Sequence, residues 1–283
     1  MMATPKKSEK FAVFGHPISH SKSPVIHQQF AKQFGLDIQY QAVDVASGEF
    51  KNAVSEFARA GGKGLNVTVP YKLEAWLLAD SRSERAELAG AVNTLKFETG
   101  SNDELKIFGD NTDGFGLVTD IKNNLKFEIK NKKVLVLGAG GAVRGVLAPL
   151  LDCQPQTLVL ANRTLSKAET LVEIFGHKGT INATGFEDLA DQQFDLVING
   201  TTASLKGEIP PLPETIFTKN ALAYDMMYSV EPTAFMVWAK NHGATKQADG
   251  LGMLVEQAAE SFYIWCGVRP DSGPVISKLG NMM

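Results

Sequence analysis

The chain is poor in cysteine. Cys153 and Cys266 are the only two in 283 residues, and they lie far apart with no metal-type spacing. That excludes a disulfide-built scaffold and a thiolate zinc site. It points to a reducing compartment in which both thiols are packing residues. Long apolar runs are also lacking. The one membrane-like window, residues 134–151, is broken by a glycine cluster and by Arg144, so it reads as strand, turn and helix and not as a bilayer span. Near the N-terminus only Phe11-Ala12-Val13-Phe14 is apolar before Gly15-His16-Pro17, too short for the core of a secretory signal, and a cytoplasmic location is expected. Basic charge is scarce: 28 Lys and Arg against 31 Asp and Glu leave a formal net charge of −3. Beyond Lys6-Lys7 and residues 130–133 there is no basic run, hence no electrostatic footprint for nucleic acid or an anionic membrane. His16, His20 and His27 lie close together in sequence, but no acidic or cysteine partner is spaced to complete a site, so no metal is expected. Low-complexity segments and internal repeats are absent too.

What is present is a globular composition, 44% hydrophobic, with length for about two domains. Phe11-Ala12-Val13-Phe14 reads as a buried strand, followed by a polar loop over 15–23. A helix then opens at Pro24 with Val25, Ile26, Phe30 and Phe34 on its apolar side. Residues 40–45 alternate like a strand and 48–60 have helical spacing. Gly64-Leu65-Asn66-Val67-Thr68-Val69 is a strand stopped by Pro70. The polar, turn-rich stretch 98–105 separates two hairpin arms, and an amphipathic helix covers 113–125. Further strands fall at 157–161, 180–183, 195–199 and 221–225, and 250–279 is helix-like. Strands alternating with helices imply a mostly parallel sheet. Asn66 stands out in its apolar strand because a buried amide needs partners. Backbone groups, waters and a substrate hydroxyl are all candidates.

The most informative stretch is Lys132-Lys133-Val134-Leu135-Val136-Leu137-Gly138-Ala139-Gly140-Gly141-Ala142-Val143-Arg144-Gly145, an apolar strand running into a glycine cluster that opens a helix. Glycines at 138, 140 and 141 remove β-carbons that would block a diphosphate. The helix starting near Ala142 aims unpaired N–H groups and its positive dipole end at the anion. The strict pattern wants Gly or Ala at 143, where this chain has Val143. A second strand ends in Asn162-Arg163-Thr164, with Lys167 one turn on. An NAD site places a carboxylate about 20 residues past the glycines; cations there suit the 2′-phosphate of NADP, unless Arg163 and Lys167 are ordinary solvated charges.

Across nearly the whole chain, ordered blocks resemble the shikimate dehydrogenase family. They are Gly15-His16-Pro17-Ile18 with Ser21-Lys22-Ser23-Pro24, Asn66-Val67-Thr68-Val69-Pro70-Tyr71-Lys72, Gly90-Ala91-Val92-Asn93-Thr94 and Gly109-Asp110-Asn111-Thr112-Asp113-Gly114. The glycine turn, Asn162-Arg163-Thr164, Tyr224-Asp225-Met226-Met227-Tyr228 and Asp249-Gly250-Leu251-Gly252-Met253-Leu254 follow. The resemblance implies two α/β domains with a cleft between them. Residues 1–112 would form the substrate domain and 113–249 a Rossmann-like NADP-binding domain, with helices over 250–283 returning to the first. It implies reversible reduction of 3-dehydroshikimate to shikimate with NADPH, on the route to chorismate and the aromatic amino acids, by a monomer or homodimer.

The same resemblance makes Lys72 the proton donor and Asp113 its partner. Ser21, Ser23 and Tyr228 would hold the carboxylate, and Asn66, Thr68, Asn93 and Gln257 the ring hydroxyls. Gly138, Ala139, Gly140, Gly141 and Ala142 would line the diphosphate, Asn162, Arg163, Thr164 and Lys167 the 2′-phosphate, and Met226 and Gly250 the nicotinamide. Read without it, Ser21 to Ser23 is a helix cap, Lys72 a surface charge and Asp113 an N-cap. Three positions depart from the family pattern. Lys167 stands where a second Arg is usual, Val143 breaks the glycine motif, and Asn199-Gly200-Thr201-Thr202-Ala203-Ser204 replaces an Asn-Ala-Thr-Ser-x-Gly turn. Two other readings are a quinate/shikimate dehydrogenase using NAD and a non-catalytic NADP-sensing module.

Overall fold

The structure, a computed structural model, describes residues 8–100 and 104–282. Lys6-Lys7 and part of the turn expected at 98–105 therefore lie outside the described residues. The chain divides into two compact units, Met1–Thr112 with Gln257–Lys278, and Asp113–Glu256 with Leu279–Met283.

The first unit opens with three βα pairs: β1 (Glu9–Gly15), α1 (Ser23–Gln33), β2 (Ile38–Asp44), α2 (Phe50–Arg59), β3 (Gly62–Val67) and α3 (Lys72–Leu78). β4 (Ser81–Arg82), α4 (Glu84–Ala89) and the hairpin β5 (Thr94–Thr99) and β6 (Leu105–Asp110) follow. β1 lies between β2 and β3, parallel to both, and Phe11, Ala12, Val13 and Phe14 are all buried, as a strand covered on both faces requires. The sheet order is β2-β1-β3-β5-β6-β4. It is mixed instead of mostly parallel, because β5 runs antiparallel to β3 and β6 turns back on β5. A hairpin loop cannot return a strand in the parallel sense.

β3 stops at Val67, two residues earlier than the apolar pattern suggests. Thr68 leaves the strand and its carbonyl accepts the Tyr71 N–H at 3.0 Å. Pro70 has no N–H to continue a ladder. α1 takes Pro24 in its first turn and buries Ile26, His27, Phe30 and Ala31. Phe34 falls past its end and is 40% exposed. An ion cluster built on the buried carboxylates of Asp110 and Glu260 pins the end of β6: Arg85 donates to both Asp110 oxygens at 2.7 and 2.6 Å and to Glu260 at 2.9 Å, and the exposed Arg269 completes Glu260 at 2.6 Å.

The second unit contains α5 (Asp113–Thr119), one π-helical turn (Asp120–Asn124), β7 (Lys133–Leu137), α6 (Gly141–Asp152), β8 (Thr157–Ala161), α7 (Leu165–Phe175) and β9 (Ile181–Thr184). β10 (Phe194–Asn199), β11 (Phe217–Asp225), α8 (Ala234–Asn241) and β12 (Lys246–Ala248) complete its sheet. α9 (Leu251–Cys266) contributes residues to both units, and α10 (Gly273–Gly280) follows a break in the expected C-terminal helix. All neighbouring strands are parallel in the order β12-β11-β10-β7-β8-β9. That is the doubly wound dinucleotide order, with its switch point between β7 and β10. The helix expected over 113–125 changes to π geometry at Asp120, whose carboxylate accepts from Tyr224 at 2.7 Å and Asn124 at 2.9 Å. Among the described residues no helix is long and apolar enough to cross a membrane.

Candidate functional site

In the first unit the ends of β1 and β3 carry the predicted polar residues. β1 passes into the loop holding Ser21 and Ser23, and the Ser23 N–H donates to Ser21 Oγ at 3.3 Å. Ser23 is buried at the start of α1. Asn66, one residue before the end of β3, is 6% exposed and fully engaged. Its Oδ1 accepts from the Tyr40 hydroxyl at 2.7 Å and faces His27 Nε2 at 3.2 Å. Its Nδ2 reaches the Asn93 carbonyl at 3.2 Å, Thr94 Oγ1 at 3.2 Å and Ser261 Oγ at 3.0 Å.

The row continues to Asn93, whose Nδ2 donates to Thr112 Oγ1 at 2.9 Å and Gln257 Oε1 at 3.3 Å, and whose Oδ1 accepts the Thr112 N–H at 2.9 Å. The structure thus joins Asn66, Asn93 and Gln257 in one hydrogen-bonded row, while Ser23 bonds within its own loop. Lys72 opens α3, half-buried, and its carbonyl accepts the Val92 N–H at 2.9 Å, which ties the start of α3 to the residue before Asn93. Thr68 is half-buried next to them in sequence, with its N–H on the Phe14 carbonyl.

Tyr40, His27, Thr94, Thr112 and Ser261 complete this row and were not singled out from sequence as binding residues. Tyr40 and His27 carried a usable signal: each is polar at a position its own element buries. Burial pushes the Tyr40 phenol well above the ordinary tyrosine value and drives His27 down to about 3, the bond to Asn66 opposing only part of that. His27 is therefore neutral at any physiological pH.

In the second unit, Gly138 ends β7 with φ at +102°, which favours glycine. A β-carbon at Gly140 or Gly141 would meet nothing within 4 Å, so the turn presents bare, exposed backbone. α6 starts immediately afterwards with Gly140 as N-cap and no side-chain cap, leaving its first N–H groups for an anion. Ala142 is exposed on the first turn. At the end of β8, Asn162 is held by its own bond to the Thr164 carbonyl at 2.8 Å, while Arg163, Thr164 and Lys167 are exposed. Bare glycine backbone, an uncapped helix start and exposed cations fit a dinucleotide carrying a 2′-phosphate.

Two of the departures prove to be paired with other residues. A β-carbon at Gly200 would run into Cγ2 of Val143, so the bulk that breaks the glycine motif occupies the space that glycine at 200 leaves free. Ser204 donates to Asp225 Oδ2 at 2.6 Å and accepts from Asn199 Nδ2 at 3.0 Å. Asp225 is fully buried and also accepts from Thr233 at 2.7 Å and from the Met227 N–H at 3.1 Å. One carboxylate thus holds the loops after β10 and β11. Met226 and Tyr228 are half-buried in the second loop, where burial raises the Tyr228 phenol. Gly250 lies against the Met226 carbonyl so closely that no side chain fits. Asp113, half-buried, opens α5.

A parallel sheet in dinucleotide order with a bare phosphate-type turn, joined in one chain to an α/β unit carrying a polar row, defines the two-domain nucleotide-dependent α/β class. Residues 13–95 match the shikimate dehydrogenase substrate binding domain, 120–207 match shikimate / quinate 5-dehydrogenase, and 250–279 match the shikimate 5'-dehydrogenase C-terminal domain. The chain is 54% identical over 271 residues to the shikimate dehydrogenase (NADP(+)) of Hahella chejuensis, covering 96% of this chain and 98% of that protein. Among solved structures, an Ael1 enzyme from Pseudomonas putida superposes with a TM-score of 0.90 at 46% identity, over 96% of this chain and 98% of that one. Shikimate 5-dehydrogenase from Thermus thermophilus, in complex with NADP(H) and shikimate, does so with 0.84 at 32% identity, over 97% and 100%. The chain belongs to the shikimate dehydrogenase family.

The Val143–Gly200 contact predicts non-additive stabilities. Gly200→Ala alone should lower unfolding stability by about 2 kcal/mol through overpacking, and Val143→Ala alone by a similar amount through a cavity, while the double variant loses at least about 1 kcal/mol less than their sum. Urea unfolding of the three variants measures this, and strict additivity contradicts it. His27 predicts a pH dependence. Its folded pKa of about 3 lies below the unfolded value of 6.5, so its neutral form stabilises fully above the unfolded value. That contribution is lost as pH falls, by up to about 1.4 kcal/mol per pH unit. Comparing unfolding at pH 7.5 and 5.5, the slope should be reduced in His27→Phe by about 1 kcal/mol relative to the unaltered chain.

Proposed function

We propose that this chain catalyses the reversible reduction of 3-dehydroshikimate to shikimate with NADPH, supplying chorismate synthesis. The observation that carries this reading is the polar row of Asn66, Asn93 and Gln257 in the unit that also presents Lys72 and the loop of Ser21 and Ser23. It offers amides and hydroxyls, the donors and acceptors that a small polyhydroxylated ring takes, and one ammonium. NADPH, when bound, supplies the hydride. The chain's own residues manage charge and protons. As the carbonyl becomes an alkoxide, negative charge builds on its oxygen, and the Lys72 ammonium stabilises that oxygen and delivers its proton there. In the oxidative direction the neutral amine takes the proton back. Asp113 orients the lysine and accepts a substrate hydroxyl.

Ser21, Ser23 and Tyr228 hold the carboxylate. Asn66, Thr68, Asn93 and Gln257 distinguish the hydroxyls. The turn Gly138 to Ala142 takes the diphosphate, Met226 and Gly250 border the nicotinamide, and Asn162, Arg163, Thr164 and Lys167 meet the 2′-phosphate. Lys167 offers a point charge where a guanidinium would bind the phosphate in two places, so cofactor discrimination rests mainly on Arg163.

Initial rates at 340 nm, crossing shikimate and quinate with NADP and NAD, test the assignment. Shikimate with NADP should be the preferred pair, and Lys72→Ala should lower kcat about a thousandfold. Arg163→Ala should raise the KM for NADP about tenfold and leave that for shikimate in place. Faster turnover of quinate with NAD makes the chain a catabolic quinate/shikimate enzyme, and NADP binding without turnover of any pair makes it a sensor.

A further inference from the structure

His27 is a buried titratable group that the proposed chemistry does not use, and its surroundings define its protonation state. The Asn93 carbonyl can only accept, so the side of the Asn66 amide facing it must be the NH2. The opposite side is then the oxygen, toward which both the Tyr40 hydroxyl and His27 Nε2 point. An oxygen cannot donate, so His27 must carry its proton on Nε2, and Nδ1 is left as a bare lone pair. Nδ1 is indeed fully buried with no hydrogen-bond partner. The ring is also stacked on Tyr40, centroids 4.3 Å apart and planes 7° from parallel, which fixes the direction of the N–H. A phenylalanine would fill this space without a stranded acceptor. What the histidine adds is one donor aimed at one atom.

We propose that His27 is a positioning residue for substrate: with Tyr40 it locks the Asn66 amide in a single orientation, and Asn66 in turn sets the row that ends on Asn93 and Gln257. This rests on the reading that the row binds the ring hydroxyls. If the amide flips, its oxygen faces the Asn93 carbonyl and its NH2 abandons Ser261 and Thr94, so the Asn93 and Gln257 side chains lose their fixed order. Ser261 transmits the effect, since its Oγ meets Thr94 at 2.8 Å and Thr112 at 3.3 Å and donates to the Gln257 carbonyl at 3.0 Å.

Steady-state kinetics of the full chain with shikimate and NADP test this, using His27→Phe, His27→Gln and Tyr40→Phe. His27→Phe keeps shape and stacking but removes the donor. It should raise the KM for shikimate about tenfold while the KM for NADP stays within about twofold. Glutamine places an N–H near the former Nε2 and should restore most of the loss. Tyr40→Phe, which deletes one hydroxyl from the same Asn66 oxygen, should raise the shikimate KM as well, and it decides the matter if His27→Phe does not fold. A shikimate KM unchanged in both phenylalanine variants, or both KM values rising together, reduces His27 to a core residue and overturns the proposal while leaving the function in place. An unaltered chain that turns over no shikimate overturns the functional reading and this proposal with it.

Discussion

Asn66 places a side-chain amide inside a strand whose neighbours are Leu65 and Val67, both buried. A buried amide left without partners costs several kcal/mol, so its surroundings must supply two donors and two acceptors or the strand end will not hold its place. Much of the first unit is arranged around that demand. β2 brings Tyr40 and α1 brings His27 to the oxygen, while Asn93, Thr94 and Ser261 come from the turn before β5, from β5 itself and from α9 to the nitrogen. Meeting one amide's requirement therefore aligns elements from both ends of this unit. It also fixes the Asn93 and Gln257 side chains in the row proposed to bind the ring hydroxyls. The ion cluster of Arg85, Asp110 and Glu260 acts alongside it, holding the strand end that leads to Thr112 and the segment of α9 next to Ser261.

The second unit meets a different demand, set by the turn after β7. Gly138 supplies its positive φ, and Gly140 and Gly141 leave the backbone bare at the start of α6, where the proposed reading puts the diphosphate. The chain then accommodates a valine in the glycine motif by removing a side chain at 200, so that two departures from the family pattern form one contact. Ser204, the third unusual residue in that region, is held by Asp225, a buried carboxylate satisfied by hydroxyl, amide and backbone donors instead of by a cation. Hydrogen bonds of this kind stabilise a buried charge with more directional constraint than a single ion pair.

The βα rhythm was legible because most strands are short apolar runs and most turns are marked by glycine or proline, with residues 40–45 readable by their alternation. The glycine turn was legible because strand, cluster and helix are contiguous. Asn66 also announced itself as a polar residue in an apolar strand. The β5–β6 hairpin was legible, but the antiparallel pairing of β5 with β3 was not, since local pattern does not choose a strand's neighbour. The short β4 and β12 were missed because two or three residues carry no periodic pattern. The partners of Asn66 were hidden for another reason: they lie from 26 to 195 positions away in sequence, and a single chain gives no sign of which distant hydroxyl meets which amide. The Val143–Gly200 pairing had two visible halves and no visible link. The π turn at Asp120 was not legible either; its carboxylate accepts from Asn124 one turn on and from Tyr224, 104 positions away.

The central claim is that one buried amide, held in one orientation, orders the polar row of the first unit. Imidazole nitrogen-15 NMR of His27 measures this most directly, because the orientation of Asn66 dictates the tautomer. The ring should stay neutral from pH 8 to pH 5, with a protonated, hydrogen-bonded Nε2 and the shift of a bare, pyridine-like Nδ1. A proton on Nδ1, or a ring that becomes cationic near the ordinary histidine pKa, would mean that the Asn66 amide is not held in this orientation.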